Sequence, residues 1–388
     1  MAPGRGGRLM GQHPYFSPAE YQARLARLQA RMREAGVELA LFDEIEAMTW
    51  VSGFGSSANR WRCVGIPLQG EPFFVIRALD AGVCAQRTWI TDIPTFADWE
   101  DPVPVLARAV AARGLSAARI GVDFDSYGMS VARFEAMRRA MPQAQFVDMG
   151  PAIAELRLIK SPAEIELLRR AAAIADQALL DAAALCVPGG TQREAAKRAQ
   201  MTFVEMGGDP YRPGPITGGR GWDFLHGHLG DAPLARGDVV HIELTPRIHG
   251  YSSRVMRCVV LGEPEPERQR AAEILAELQD AQIAAMKPGA VASEVDAILR
   301  EGVVRAGLRP SYDNITAYTL GLYGDAGPRT SDFTRILHPA AEWRFEAGMV
   351  FHVYASAGGA ALSESVLITE TGPELLTHLP RGLLVNPC

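Results

Sequence analysis

The chain has 388 residues, a net charge of −6, 48% hydrophobic and 22% charged residues. That length exceeds one ordinary domain and predicts two. The acidic balance gives no reason to expect nucleic acid, and the absence of any apolar run of about 18 residues predicts no membrane span.

Residues 1–15 are Gly-rich and basic, and are expected to be a disordered tail rather than a signal peptide. Ser17-Pro18-Ala19-Glu20 opens a helix, with Ser17 as N-cap and Glu20 closing a capping box. Tyr21, Leu25, Leu28 and Met32 recur at helical spacing, and Gly36 ends the element. Short apolar runs follow at 37–42, 48–51, 73–76 and 120–124, alternating with helical stretches such as 103–113 and 130–141. This pattern predicts an α/β domain over residues 16–155. The tetrapeptide returns as Ser161-Pro162-Ala163-Glu164 and starts a long Ala/Leu-rich helix to about Cys186. Thr191 with Glu194 caps the next helix. Two further helices are expected at 266–286 and 293–306. Five cysteines (63, 84, 186, 258, 388), an odd number without a C-x-x-C, fit neither a disulfide framework nor a zinc knuckle. They point to a reducing, cytoplasmic setting.

A near-repeat organises the second domain, residues 156–388. Gly237-Asp238-Val239-Val240-His241-Ile242-Glu243 returns as Gly348-Met349-Val350-Phe351-His352-Val353-Tyr354, and each copy leads into a second apolar run, 255–261 and 366–369. Two similar hairpins, each preceded by a helix pair, predict an α+β domain with pseudo-twofold duplication and a pocket between the halves. Because strand side chains alternate, His241 shares a face with Glu243, and His352 with Tyr354. Gly218-Gly219-Arg220-Gly221 lacks the Lys-Ser/Thr of a phosphate loop.

This layout resembles the pita-bread superfamily of creatinase, prolidase and aminopeptidase P. The resemblance runs through Leu156-Arg157-Leu158-Ile159-Lys160-Ser161-Pro162-Ala163-Glu164, Gly237-Asp238-Val239-Val240, Gly250-Tyr251 and Gly348-Met349-Val350. It implies a creatinase-type N-terminal domain and a pita-bread catalytic domain. The peptidases of that group hold two divalent metals on two Asp, one His and two Glu. Those positions fall here on Glu243, Arg254, Tyr318, Tyr354 and Ser363 with Glu364 beside it. Hard cations need several anionic donors, and an arginine repels them. The expectation is therefore no metal and no cofactor. Metal-free members include creatinase, acting on a guanidino C–N bond, and ectoine hydrolase, acting on a cyclic amidine. Ile242-Glu243-Leu244 and Ser363-Glu364-Ser365-Val366 resemble the latter. The segment from Leu322 to Arg329, which shapes the pocket in the resemblance, departs from its text.

The expected activity is metal-independent hydrolysis of a non-peptide C–N bond in a small, carboxylate-bearing amidine, guanidine or amide. The alternatives are a metal-dependent Xaa-Pro peptidase and a catalytically inactive binding protein. His226 is expected to move a proton. Glu243 polarises, orients or attacks, or else forms a structural ion pair with Arg254. Glu364 is expected as the second catalytic carboxylate. His228, Tyr318, His352 and Tyr354 are candidates to line the substrate. Arg60, Trp61 and Arg62 are candidates for a carboxylate clamp, because the resemblance implies a homodimer in which one N-terminal domain reaches the other subunit's pocket. His241 reads as a satisfied core histidine, and His249 as part of the hairpin turn.

Overall fold

The computed structural model describes residues 15–55, 59–324 and 331–387. Residues 1–14 of the expected tail, and 325–329 of the departing segment, lie outside them. The chain divides into two compact units at Arg157/Leu158, with Gly324 assigned to the first.

The first unit contains helices α1 (Pro18–Ala35), α2 (Ile45–Ser52), α3 (Ala81–Arg87), α4 (Pro102–Ala111), α5 (Val131–Ala140) and α6 (Gly150–Leu156). Its strands are β1 (Leu39–Phe42), β2 (Cys63–Pro67), β3 (Phe73–Arg77), β4 (Thr95–Phe96), β5 (Arg119–Val122) and β6 (Gln145–Asp148). They form one mixed sheet in the order β4-β3-β2-β1-β5-β6. Ser17 caps α1 by accepting from Glu20 N, and Gly36 closes it in the left-handed region, φ 66°. The apolar run 48–51 is not a strand but lies within α2. A four-residue run has too few positions to separate period 2 from period 3.6. Leu39, Leu41, Ile120 and Val122 pack with Leu106 and Val110 of α4 and Met137 of α5.

Two carboxylates are buried at the start of α2. Glu44 caps the helix, accepting from Glu46 N at 3.0 Å and Ala47 N at 2.7 Å. Glu46 is bonded to Arg157 at 2.7 Å, and Glu44 lies 3.9 Å from the same guanidinium. Burial, with repulsion from Glu46 behind it, pushes the Glu44 carboxyl up to about 7. A carboxyl whose pKa rises on folding costs stability once it must ionise. That cost is absent below the unfolded value, near 4.5, develops as pH rises to about 7, and is constant above. Glu44→Gln should therefore gain on the parent chain by roughly 2 kcal/mol between pH 5 and pH 8. Denaturant melts at the two pH values check this. A stability difference that does not change with pH would refute it.

The second unit begins with α7 (Pro162–Ala183) and α8 (Gln192–Glu205). Both carry a complete capping box, Ser161 with Glu164 and Thr191 with Glu194. Strands β7 (Ile216–Gly219), β8 (Val239–Leu244), β9 (Arg247–Ile248), β10 (Tyr251–Ser252) and β11 (Val255–Leu261) follow. Next come helices α9 (Pro266–Ala285) and α10 (Ala292–Arg305). Strands β12 (Ala317–Thr319), β13 (Ile336–Leu337), β14 (Val350–Ala357), β15 (Ala360–Thr369), β16 (Gly372–Leu375) and β17 (Leu384–Asn386) complete it. The main sheet runs β13-β12-β14-β15-β11-β8-β7, with β16 on β15 and β17 on β11. The near-repeat is thus two antiparallel hairpins, β8/β11 and β14/β15, joined side by side at Met256↔Ser363. His249 sits in the β9/β10 turn at φ 52°, followed by Gly250 at 82°.

One face of this sheet is apolar and helix-covered. Phe351, Val353 and Val366 pack with Ile283 and Met286 of α9 and Val295 of α10. Ala355 and Leu362 pack with Leu275 and Leu299. The opposite face carries the polar side chains. Among the described residues no helix is long and apolar enough to cross a membrane.

Candidate active site

Register and alternation decide which side chains meet. Glu243 pairs with Met256, Met256 with Ser363, and Ser363 with Tyr354. These four form one row across β8, β11, β15 and β14, all on the polar face. His241 and Cys258 form the next row on one side. Ser365, His352 and Tyr318 form the next row on the other.

The centre of the face is an ion pair. Arg254 Nη2 lies 3.0 Å from Glu243 Oε1, both groups almost fully buried. The same guanidinium donates to the Tyr318 hydroxyl and lies 3.7 Å from Asp332. Burial works against its charge, but Tyr318, Glu243, Tyr323 and Asp332 outweigh burial and hold the arginine firmly protonated. The backbone of Arg254 is held as well: its N–H donates to Ser365 Oγ at 2.9 Å, and that hydroxyl donates back to the Arg254 carbonyl. Ser365 thereby ties the two hairpins together at the point where the charged pair sits.

Around this pair stands an aromatic wall. The His352 and Tyr354 rings stack at 5.4 Å and 14°, and Tyr318 meets His352 edge-on at 5.0 Å. The Tyr354 hydroxyl accepts from Asn314 Nδ2 at 3.4 Å. Burial, with the Asn314 bond opposing it, pushes that phenol up to about 12. Tyr354 therefore acts as a neutral hydrogen-bonding group at ordinary pH. On the other side, Trp222 stacks on His241 at 5.0 Å and 11°.

Of the residues singled out in the sequence, the structure brings some together on this face and sets others apart. Glu243, Tyr318, His352 and Tyr354 come together. His226 and His228 lie on the exposed stretch after β7. Gly227 between them sits against Thr217, the β7 neighbour of His241; a Cβ on it would meet Thr217 Oγ1 at 2.4 Å. His226 is close enough that its charge counts against protonation of His241.

Glu364 is not part of this group. It pairs with Val353, one step out of phase with the Tyr354–Ser363 row, so it faces the helices. There Arg257 Nη2 donates to it at 2.6 Å, Thr377 donates to its other oxygen, and Arg381 Nε lies 3.3 Å away. Arg257 is itself spread over the carbonyls of Met256, Ser363 and Pro380. Glu364 is thus a fully paired structural carboxylate, and the side chain that the second hairpin turns to the site is Ser363.

The expected clamp also fails in part. Trp61 is packed into the core of the first unit, its Nε1 donating to Asp43 at 2.7 Å, with Arg133 over its ring. Arg62 is buried and donates to the Gly55 carbonyl at 3.0 Å. Arg60 alone of the three is exposed. An aromatic committed to a core and a guanidinium committed to a carbonyl are not free to stack on or chelate a ligand.

Asp332 and His241 were missed. Asp332 stands in a single 3-10 turn, Ser331–Phe333, too short to carry a periodic signal. His241, expected as a satisfied core histidine, is buried, but neither ring nitrogen has a hydrogen-bond partner among the described residues. The sign that it belongs to the site was its period-2 relation to Glu243.

The donor set does not suit a metal pair. The carboxylates brought together on this face, Glu243 and Asp332, both lie against the Arg254 guanidinium. Among the described residues no group of three His, Cys, Asp or Glu could hold a metal ion.

Comparison with known proteins places this architecture. Residues 166–370 match the model of metallopeptidase family M24, and residues 24–159 match the creatinase/prolidase N-terminal domain. The chain belongs to family M24. It has the two-domain pita-bread architecture of that superfamily. It is 28% identical to the ectoine hydrolase of Halomonas elongata over 403 residues, covering 96% of this chain and 98% of that protein. It is 31% identical to the Xaa-Pro dipeptidase of Pyrococcus furiosus over 242 residues, 62% and 69% of the two chains. The solved dipeptidase PepE of Mycobacterium ulcerans superposes with a TM-score of 0.81 at 23% identity, over 96% and 100% of the chains, a likeness in fold. This M24 chain therefore keeps the fold of the peptidases with an altered centre.

Proposed function

We propose that this M24 chain is a metal-independent hydrolase of a non-peptide C–N bond in a small amidine, guanidine or amide. The observation that carries the reading is the Glu243–Arg254 pair at 3.0 Å in the middle of the polar face. A guanidinium cannot be deprotonated in a protein, and a permanent cation where a divalent metal would sit excludes that metal by charge. Near full-length similarity to an ectoine hydrolase supports the same reading.

The arrangement suits the chemistry. Arg254 orients Glu243 through one carboxylate oxygen and leaves the other to act on water or substrate. The phenol rings of Tyr318 and Tyr354 and the His352 ring form one wall for a flat, conjugated group. His226, on the exposed stretch beside His241, delivers a proton to the departing nitrogen.

The test has two arms. Elemental analysis of the purified chain should find far less than one divalent metal per chain. Chelators should leave turnover unchanged, and added manganese, cobalt or zinc should not raise it. A substrate screen over cyclic amidines, guanidino acids and small amides, beside Xaa-Pro dipeptides, should give turnover in the first group. Stoichiometric metal together with Xaa-Pro cleavage would instead make the chain a peptidase and overturn the proposal.

A further inference from the structure

His241 is wholly buried, yet neither of its ring nitrogens has a hydrogen-bond partner among the described residues. Glu243 Oε2 is in the same condition, and so is Ser363 Oγ on the same face. Leaving such groups unpaired in a protein interior is costly, so three of them on one face point to something they bind. Two of them are set at a defined spacing: His241 Nε2 lies 4.0 Å from Glu243 Oε2. That is too far for a direct hydrogen bond. An oxygen placed about 2.8 Å from both would subtend an angle near 90°, close to the angle between the two O–H bonds of water. Residues i and i+2 of one strand hold the spacing, the Trp222 stack fixes the imidazole plane, and Arg254 fixes the other carboxylate oxygen.

We propose that His241 Nε2 and Glu243 Oε2 form a two-point seat for the water that attacks the scissile carbon. His241 is thereby a water-positioning residue of the reaction. This rests on the hydrolase reading above and narrows it from attack by Glu243 to attack by water. The imidazole must be neutral to accept at Nε2. Burial foremost, with Glu243 opposing and His226 reinforcing, pushes its pKa down to about 4. At neutral pH the ring is neutral, and the seat requires the tautomer with its proton on Nδ1, which leaves Nε2 as the acceptor.

With both hydrogens engaged, the water presents its lone pairs away from β8. In the reaction its oxygen bonds to carbon while one proton passes to Glu243 Oε2. The C–N bond breaks with its electron pair on nitrogen, and that nitrogen takes a proton from the His226 imidazolium. The proton on Glu243 then returns to His226, which restores the starting state.

The full-length chain tests this by crystallography and kinetics together. A high-resolution structure of the parent chain should show an ordered oxygen within about 3.2 Å of both atoms. It should be lost in His241→Phe and regained in His241→Gln, whose amide oxygen takes the place of Nε2. On the substrate found by the screen, His241→Phe should lower kcat by about 100-fold with KM little changed, and His241→Gln should recover a large part of it. A gap filled by a protein side chain, or without an ordered oxygen, overturns the seat. A His241→Phe variant with parental kcat overturns the role in attack. The seat is read by diffraction, so a bridging oxygen in a chain that hydrolyses no C–N compound would count against the functional reading and the attack step, and leave the seat standing. If His241→Phe does not fold, the parent structure and His241→Gln still decide the matter.

Discussion

Glu243→Gln should reduce hydrolysis of the C–N substrate by about 1,000-fold or more, the scale of losing a general base together with the electrostatic control of its water. The amide keeps an oxygen for Arg254 and fills the same volume, so folding should survive with a modest loss of stability. Glu243→Ala is the harsher variant. It strips the nearest carboxylate from a buried guanidinium and leaves Asp332, 3.7 Å away, as the remaining anion. That change costs stability as well as rate, because an uncompensated buried charge is expensive. Steady-state kinetics and denaturant melts on the two variants separate the effects. Near-parental turnover in Glu243→Gln would remove this residue from the chemistry. Retained turnover in the presence of chelator, with Glu243→Gln inactive, would leave the carboxylate and not a metal as the activating group.

The second large effect lies on the other face of the same sheet. Arg257→Ala should destabilise the chain by about 3–5 kcal/mol, since it leaves Glu364 buried opposite helix α9 without its closest cation. Glu364→Ala should cost a similar amount by leaving Arg257 uncompensated. In contrast, Glu364→Gln keeps hydrogen-bonding atoms for Arg257 and Thr377, and its kcat should stay close to the parent value. An apolar pair of matching volume, Arg257→Met with Glu364→Leu, should recover much of the lost stability, as replacement of buried ion pairs often does. Unfolding melts and kcat on the four variants test the assignment. A Glu364→Gln variant that folds normally but loses activity would return Glu364 to the active site.

The contrast between these two glutamates marks how far the sequence could be read. Both are acidic residues within apolar strands of a duplicated hairpin, and both looked like catalytic carboxylates. Glu243 is aimed at the site and Glu364 at the helices, because side chains alternate along a strand and one residue of register reverses the face. β14 and β15 form a local hairpin, but the register of β15 against β11, far earlier in the chain, is a long-range property that no local pattern fixes. His241 shows the converse. Surrounded by Val and Ile it looked like core, and it is buried. What separates it from a satisfied core histidine is that its ring nitrogens have no hydrogen-bond partner among the described residues, which only packing reveals. Trp61 and Arg62 were read as a clamp because Arg flanking an aromatic is a common ligand-binding text. The fold spends that ring on a core and that guanidinium on a carbonyl instead.

Other features were legible because their causes are local. Capping boxes at Ser161 and Thr191 start helices wherever they occur, since a side-chain oxygen and a backbone N–H three residues on are within reach without tertiary help. The repeat of Gly-x-Val-x-His strands showed the duplication, because each hairpin solves the same burial problem twice. The identities at the five metal positions could be read from text alone, and the mismatch of an arginine with a divalent cation is a matter of charge. By itself, then, the sequence determined the two-domain pita-bread architecture and the paired hairpins. The tertiary structure decided which side chains meet: Arg254 on Glu243, Ser363 in place of Glu364, and His241 beside a free carboxylate oxygen. The physical reason is that element type follows from short-range hydrogen bonding and hydrophobic period, whereas a site is an intersection of faces set by long-range register.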